Sequence, residues 1–392
     1  MIDWGNKLKH FQQVLLQEIS QLTGDLKQSQ GATQLRLQAL HQGKQQFLLE
    51  ITKLLQPLLN SPVTESAIYG ALRDRAPSVQ NLLSYEANIY RDWVWGKEEN
   101  QLSFDLVSSV APKSMGKLCV LGAGACRLAL DLHQHRQSDL TVATDINPLF
   151  LLAVQQLMYG NNLHLTEFPL HPKTSDDVVL SHTLKALQKK PEHFYLCFAD
   201  VAKPAFVKAA FDTVLTPWLI DIQPFELARF LRQLNYYLPV GGTWLNFGSL
   251  VFSQQRDRLC YSMDEVRDIA KHAGFDVEQT EQHELPYLKS PYNAGYRMET
   301  VWVWRAIKVR DVEVESNPQV LPPWLLDLEQ PVPLSAEHKQ LSAQHVFLAD
   351  VFARVDGRVS IRQMARKLSQ QQDLNAEDLE ALIRNYFLRF QR

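Results

Sequence analysis

Two short stretches of this chain carry residues suited to holding a nucleoside, each at the end of an apolar run. Gly122 and Gly124 follow the run Lys117–Leu121, and Asp145 ends a second run that begins at Thr141. A glycine turn lets the backbone approach a ligand closely, and an acid at the end of the next strand can accept hydrogen bonds from a ribose. The spacing therefore predicts a site for an adenosyl ligand.

The glycine pattern leaves the ligand open. Dinucleotide-binding folds prefer G-x-G-x-x-G, with a helix N-terminus facing the pyrophosphate. Here Arg127 stands where the third glycine would be. S-adenosylmethionine (SAM) has no phosphate and needs only close backbone approach, so the turn modestly favours SAM and argues against NAD. A turn that joins a strand to a helix for packing alone is the remaining alternative.

Two further acids follow apolar runs. Asp200, beside Val201, comes after Phe194–Ala199, and Asp221 comes directly after the Trp218–Ile220 run. At the carboxyl end of a strand, the first acid suits an adenine amino group. The second can hold a cationic amine or accept its proton. The alternative for both is a cap on the following helix.

The elements that must position these residues alternate between strand and helix. Strands are predicted over 117–121, 140–144, 194–199, 212–217, 243–248 and 299–306, and helices over Pro148–Tyr159, Pro224–Tyr237 and Met263–Ala273. Such alternation indicates a doubly wound α/β sheet. The last two strands are expected to form its partly antiparallel edge.

Four segments are predicted along the chain. Residues 1–112 form an N-terminal helical region, with amphipathic helices before residue 60, a break between Gly24 and Ala32, and a helical stretch from Glu65 to Trp95. Residues 113–310 form the sheet domain, and 311–335 form a proline-rich linker. Residues 336–392 form a small helical module, whose pattern resembles winged-helix or PqqD-like peptide-recognising domains.

The net charge, the hydropathy and the cysteines of the chain argue against several classes of partner. The net charge of −3 gives no field that would attract nucleic acid or an anionic membrane. No apolar stretch is long enough to span a bilayer, and the N-terminus lacks the pattern of a signal peptide. The four cysteines show no metal-ligand spacing, so no metal is predicted. A cytoplasmic protein with reduced thiols is expected.

Longer motifs add a family resemblance over residues 65–308. The run RDWVWGKEE at 91–99 precedes GAGACRLA at 122–129, and FDTVLTPWLID, LPVGGTWLNFGSLVF and YSMDEVRDIAKHAGF follow in order. Together they resemble the carnosine N-methyltransferase (N2227-like) family. The resemblance implies a Rossmann-like, class I SAM-dependent methyltransferase with an added N-terminal helical region.

Position by position, the resemblance also implies site residues. The SAM-binding positions would be Asn88 and Arg91 on the carboxylate side, Gly122 and Gly124 in the turn, Asp145 at the ribose, Asp200 and Val201 at the adenine, and Thr213 on the pocket floor. Asp221 would hold the amine or ring nitrogen of the acceptor. Tyr296, with Tyr287 as a second candidate, would match the family's distal tyrosine.

The departures from the family pattern concern the acceptor. Cys126 replaces the last glycine of G-x-G-x-G, and Ser253 stands where the family has a histidine that engages an imidazole. The predicted function is therefore methyl transfer from SAM to a nitrogen or oxygen of a small molecule or peptide other than carnosine. The alternative is a catalytically altered scaffold that binds a peptide or protein partner, with the C-terminal module as a possible recruiting element.

Overall fold

A computed structural model describes residues 4–59, 85–201, 205–223, 226–252, 257–313, 324, 327–334, 350–372 and 375–389. The chain falls into two compact units. The sheet unit comprises Gly5–Ser61 and Asn81–Glu315, and the C-terminal unit comprises Met1–Trp4, Pro62–Gln80 and Ser316–Arg392. The four-segment division stays a prediction.

The N-terminal part of the sheet unit is helical. Its elements are α1 (Trp4–Gln28), α2 (Gly31–Leu59), α3 (Ala87–Tyr90), a π-helical turn (Arg91–Trp95) and α4 (Lys97–Val110). The break between α1 and α2 lies where Gly31 adopts a φ of 59°, as glycine readily does. Most of the predicted helix from Glu65 lies outside the described residues.

One seven-stranded sheet forms the centre of the unit. The strands of the unit are β1 (Ser114–Leu121), β2 (Gln137–Asp145), β3 (Leu163–Glu167), β4 (Leu180–Leu184), β5 (Phe194–Phe198), β6 (Thr213–Pro217), β7 (Thr243–Ser249), β8 (Phe275–Tyr287) and β9 (Arg297–Lys308). The sheet order is β5-β2-β1-β6-β7-β9-β8. Strand β9 runs antiparallel to both of its neighbours, and the pairings among β5, β2, β1, β6 and β7 are parallel. The predicted doubly wound α/β fold is thus confirmed.

Helices cover the sheet: α5 (Arg127–His135), α6 (Pro148–Met158), α7 (Leu227–Tyr237) and α8 (Met263–His272). All residues of β6 and β7 are buried, as expected for strands covered on both faces. Local signals set the helix starts. The Asn147 side chain accepts from the Leu149 N–H before Pro148 at the first turn of α6, and Ser262 with Glu265 forms a capping box on α8.

Three strands were not predicted from the sequence. The strands β3 and β4 form a separate antiparallel hairpin, and β8 is the true edge of the main sheet, paired along its length with β9. β8 carries polar residues along most of its length and only a few buried ones. An edge strand with so few buried side chains has no strong apolar pattern to detect.

The C-terminal unit has its own apolar core. It contains α9 (Ile361–Gln372) and α10 (Ala376–Arg389), and Pro331 pairs with Ser360 in a short antiparallel bridge. Trp324 and Phe352 each pack edge-on against Phe387, with ring centroids 5.4 and 5.5 Å away. The unit is thus mostly helical in its described part, while its PqqD-like or winged-helix identity stays a prediction. None of the described helices has the length and apolar character that a membrane crossing requires.

Candidate active site

The glycine turn after β1 is tied directly to the end of β2. The Ala123 N–H donates to the Thr144 carbonyl at 2.8 Å, and the Gly124 N–H donates to Asp145 Oδ2 at 2.9 Å. Gly122 and Gly124 have φ values of 70° and 53°, which residues with a Cβ adopt only at a cost. The turn and the acid predicted from the sequence therefore lie together at the carboxyl edge of the sheet.

The two glycines serve different purposes. A Cβ on Gly122 would come within 2.8 Å of Leu219 Cδ1, so the missing side chain permits packing against the chain after β6. A Cβ on Gly124 would meet nothing within 4 Å. The backbone at Gly124 thus borders open space next to Asp145, as a ligand that approaches the turn closely would require.

Asp145 is a buried carboxylate with several donors around it. Oδ1 accepts from the Asn147 N–H at 2.8 Å, and Oδ2 accepts from Gly124. Burial raises the pKa of this carboxyl to about 6, although the backbone hydrogen bonds act in the opposite direction. Each carboxylate oxygen has a second lone pair, so the ionised group can still accept from a ligand hydroxyl.

The π-helical turn Arg91–Trp95 faces the glycine turn. It is closed by the Gly96 N–H, which donates to the Arg91 carbonyl at 2.8 Å. Trp93 Nε1 donates to the Ala125 carbonyl at 2.9 Å. Short π-helical segments often occur at functional sites, and this one places an aromatic donor against the loop that borders the open space.

Arg91 lies between two carboxylates. Its Nε donates to Asp92 Oδ1 at 2.8 Å, one terminal nitrogen is 2.7 Å from the same oxygen, and the other is 3.6 Å from Glu99 Oε1. In the preceding turn, Asn88 Oδ1 is buried and has no hydrogen-bond partner among the described residues. A guanidinium and an unsatisfied amide oxygen are the groups that an amino-acid carboxylate and ammonium would need.

Asp221 lies beyond the carboxyl end of β6. Its Oδ2 accepts from Ser249 Oγ at 2.8 Å and from the Val251 N–H at 3.2 Å. Burial raises the pKa of this carboxyl, and the nearby charge of Glu299 acts in the same direction. Helix α7 begins six residues later, at Leu227, and Asp221 is not its N-cap residue. The helix-cap alternative therefore does not describe this side chain.

Aromatic rings surround Trp218, three residues before Asp221. Trp218, whose φ is 49°, packs its ring 4.8 Å from that of Tyr287. The Arg297 guanidinium lies 4.8 Å from the Tyr287 centroid. Tyr296, the first tyrosine candidate from the sequence, is instead 51% exposed, with the Lys289 ammonium over its ring. Of the two tyrosine candidates from the sequence, Tyr287 is thus the buried one.

The remaining predicted residues lie in different places. Asp200 and Val201 are half-buried after β5, and Val201 packs against the core beneath the sheet. Thr213 is the first residue of β6 and pairs with Leu118 and Thr243. It begins the strand whose far end carries Trp218, so the structure does not bring Thr213 to the carboxyl edge. Ser253 lies outside the described residues.

A buried polar cluster on the other side of the π-helical turn was missed from the sequence. His182 Nε2 is 2.6 Å from Glu167 Oε2, and the rings of Tyr90 and Tyr292 lie 5.5 and 5.8 Å from the imidazole. Trp95 Nε1 donates to Glu167 at 3.4 Å. Glu167 and His182 belong to the undetected hairpin β3–β4, so no sequence signal brought them together with the aromatic residues.

Comparison with known proteins decides the family. The model of the carnosine N-methyltransferase family matches residues 78–308, more than half of the chain. The chain belongs to this family. The matched region contains the π-helical turn, the glycine turn, Asp145 and Asp221.

The individual relatives share little sequence identity with this chain. The carnosine N-methyltransferase of Dictyostelium discoideum is 23% identical over 227 residues, which cover 53% of this chain. The chain spans about half the length of that relative, 48%. Among solved structures, the N-methyltransferase NodS from Bradyrhizobium japonicum, in complex with S-adenosyl-L-homocysteine (SAH), is 12% identical. It covers 63% of this chain and 100% of its own, with a TM-score of 0.36. A putative methyltransferase from Bacillus halodurans is 11% identical. The match covers 54% of this chain and 100% of that protein, with a TM-score of 0.37.

Proposed function

We propose that this protein is a SAM-dependent methyltransferase that acts on a nitrogen of a small molecule or peptide. The observation that carries the proposal is the junction of Gly124 and Asp145, where the turn after β1 borders open space beside a buried carboxylate. The family match supports the same ligand, since SAM is the methyl donor that the resemblance implies.

Separate groups of residues would bind the nucleoside and the amino-acid halves of SAM. On the nucleoside side, ionised Asp145 would accept from the ribose hydroxyls, and the half-buried Asp200 with Val201 would face the adenine. On the amino-acid side, Arg91 would bind the carboxylate, and the unsatisfied Asn88 Oδ1 would accept from the ammonium. Bound SAM would supply an electrophilic methyl group, and these contacts would fix its direction.

The acceptor would be held beside Trp218. Asp221, three residues after Trp218, is buried and accepts a hydrogen bond from Ser249. A carboxylate in such surroundings attracts an amine, and a pKa above the ordinary value suits it to take the proton released on methylation. The rings of Trp218 and Tyr287 would exclude water and accommodate a cation.

We further propose that carnosine is not the acceptor. Ser253 replaces the histidine with which the family engages an imidazole. A site built to bind a ring nitrogen discriminates by roughly 10⁴-fold in favourable cases, and its loss removes that preference. Formation of SAH from SAM should be measured with carnosine, histidine and a panel of small primary and secondary amines. Efficient turnover of carnosine would contradict this part of the proposal.

Ligand binding itself is tested at Gly124. The Gly124→Val variant fills the open space before the turn and should abolish SAH binding, measured by calorimetry. Gly160→Val is a matched control, because Gly160 also has a positive φ, 82°, and nothing within 4 Å of its Cβ. Gly160 follows the C-terminus of α6, which runs away from the end of β2. Unchanged SAH affinity in a folded Gly124→Val variant would overturn the proposed site.

A further inference from the structure

Asp92 is the most enclosed residue of the π-helical turn. It is 4% exposed, and burial raises the pKa of its carboxyl, with the charge of Arg91 acting against this shift. A buried carboxylate is costly unless its oxygens are bonded. Asp92 is adjacent to Arg91 in the chain, and the sequence assigned it no role.

The carboxylate of Asp92 contacts two separate parts of the site. One part is the guanidinium of Arg91, with two nitrogens within 2.8 Å of Oδ1. The other is the start of α5: the backbone N–H and the charge of Arg127, its first residue, both act to lower the pKa of this carboxyl. The residue before α5, Cys126, has a φ of 60° and supplies no side-chain cap. The carboxylate of Asp92 therefore lies near the start of α5, where a negative charge is favourable.

The neighbouring Trp93 strengthens this connection. Its Nε1 donates to the Ala125 carbonyl at 2.9 Å, two residues before Arg127. Trp93 thus binds the π-helical turn to the end of the glycine turn. The neighbouring carboxylate of Asp92 interacts both with Arg91 and with the start of the helix that follows this turn.

We propose that Asp92 is a positioning residue that sets the direction of the Arg91 guanidinium relative to the glycine turn, and so selects the amino-acid half of the ligand. This inference rests on the proposed function, since it assumes that Arg91 binds the ligand carboxylate. Arg91 has five N–H donors in a rigid fork. With one edge held by Asp92, the donors left over point in a fixed direction, which a freely rotating arginine would not provide.

The test compares two ligands that share the nucleoside. SAH carries the amino-acid half, and 5′-methylthioadenosine lacks it. Asp92→Asn keeps the shape of the side chain and one accepting oxygen, and it removes the nearer of the two carboxylate charges beside Arg91. It should weaken SAH binding by about 10- to 100-fold, the range seen when the partner behind a binding side chain is lost. Binding of 5′-methylthioadenosine should change by less than about threefold, within the spread of a neutral substitution.

Two further variants complete the design. Asp131→Asn removes another carboxylate next to this helix start, where Asp131 pairs with the Arg127 side chain at 2.8 Å, and should leave both affinities unchanged. Asp92→Glu keeps the charge and moves it by one methylene. Its SAH affinity should lie between those of wild type and Asp92→Asn. This variant also provides the test if the asparagine variant does not fold.

The possible results distinguish a wrong role for Asp92 from a wrong proposed function. Selective loss of SAH affinity supports the inference. An equal loss of both ligands would assign Asp92 a purely structural role, and unchanged or tighter SAH binding would show that Asp92 does not orient Arg91. Either result overturns the inference alone. A wild-type protein that binds neither ligand would overturn the proposed function and the inference with it.

Discussion

Asp145 shows how one side chain can respond to pH in two opposing ways. Its pKa in the folded protein, about 6, lies above the ordinary value of 3.8 because the carboxyl is buried. The folded state therefore binds the proton more tightly than the unfolded chain does. This contributes stability that is fully present below pH 3.8 and is lost as the pH rises through 6. In the proposed site the ionised form accepts from the ribose hydroxyls, and this form predominates only above that pKa.

We therefore expect SAH affinity to be constant above about pH 7 and to fall at lower pH, by up to about tenfold per unit below 6. Calorimetric titrations between pH 5 and 8 measure this profile. Asp145→Asn should bind weakly and show a flatter profile. Asp139→Asn, an exposed acid on the same strand, should retain the wild-type curve. A wild-type affinity that does not change between pH 5 and 8 would argue against Asp145 as the ribose acceptor.

Asp221 is expected to act on the acceptor and not on the methyl donor. Asp221→Asn keeps the shape and can still accept from Ser249, but it loses the charge that attracts an amine. Turnover of the amine that the wild type methylates should fall by about 30- to 1,000-fold, as for single polar stabilisers, while SAH affinity stays within about twofold.

The control for Asp221 is Asp212→Asn. Asp212 precedes the start of β6 and accepts from the Lys117 N–H at 2.8 Å, at the opposite end of that strand. Its replacement should leave turnover intact in folded protein. Loss of SAH affinity in Asp221→Asn would move Asp221 to the donor site, and unchanged turnover would remove it from the mechanism.

At the scale of elements, α2 depends on one glycine to approach the β3–β4 hairpin region. A Cβ on Gly43 would lie 2.5 Å from Val179 Cγ1 and 3.1 Å from Phe168 Cε1. Valine is stiff about χ1, so it cannot easily move aside. Gly24 in α1 is the opposite case, with nothing within 4 Å of a Cβ.

Alanine at these two positions should therefore change stability in opposite directions. Gly43→Ala should destabilise the protein by about 1–3 kcal/mol through overpacking. Gly24→Ala should stabilise it by up to about 1 kcal/mol, because glycine is a poor helix former. Denaturant unfolding of the two variants beside wild type measures both changes. A Gly43→Ala variant as stable as wild type, or more stable, would show that α2 does not pack closely on Val179 and Phe168.

Some strands and site residues could be predicted from the sequence, and others could not. The strands that carry Gly122, Asp145 and Asp221 were predicted because central parallel strands are buried and apolar. The edge strand β8 was not, because few of its side chains are buried. The hairpin β3–β4 was not, because most of its buried side chains are polar, namely Thr166, Glu167 and His182. Asp92 and His182 were also missed: the first interacts with Arg127, 35 residues later in the chain, and the second belongs to the undetected hairpin. The place of Thr213 on the pocket floor stays a prediction; in the structure it is the first residue of β6.

At the scale of the molecule, the sheet unit extends beyond the last strand. The Val309 N–H donates to the Gly274 carbonyl at 2.9 Å, and Asn235 Nδ2 donates to the Arg310 carbonyl at 2.8 Å. Lys308, whose side chain is 0% exposed, lies 2.6 Å from Asp311. These contacts lie past residue 308, and the unit ends at Glu315.

A chain that ends at Glu315 should therefore fold and bind SAH like the full-length protein. A chain that ends at Lys308 should be less stable by about 2–3 kcal/mol, because the buried ammonium loses its carboxylate and the backbone loses its partners. Denaturant unfolding and SAH calorimetry on both chains test this. If the longer chain fails to fold or to bind SAH, the C-terminal unit is required by the sheet unit and the boundary is wrong.

The packing of α2 has a consequence for how the protein is made. Helices α1 and α2 can pair early, through contacts such as Gln12 with Thr52 at 2.8 Å. Other contacts of α2 form later. Phe47, which packs on Phe11 of α1, also packs on Phe168, and Glu50 accepts from the Thr166 N–H, 116 residues later. On the ribosome this part of α2 is only partly covered until β3 has been synthesised. The nascent helical pair thus presents apolar surface for much of translation, and fragments that end before β3 should aggregate or require a chaperone.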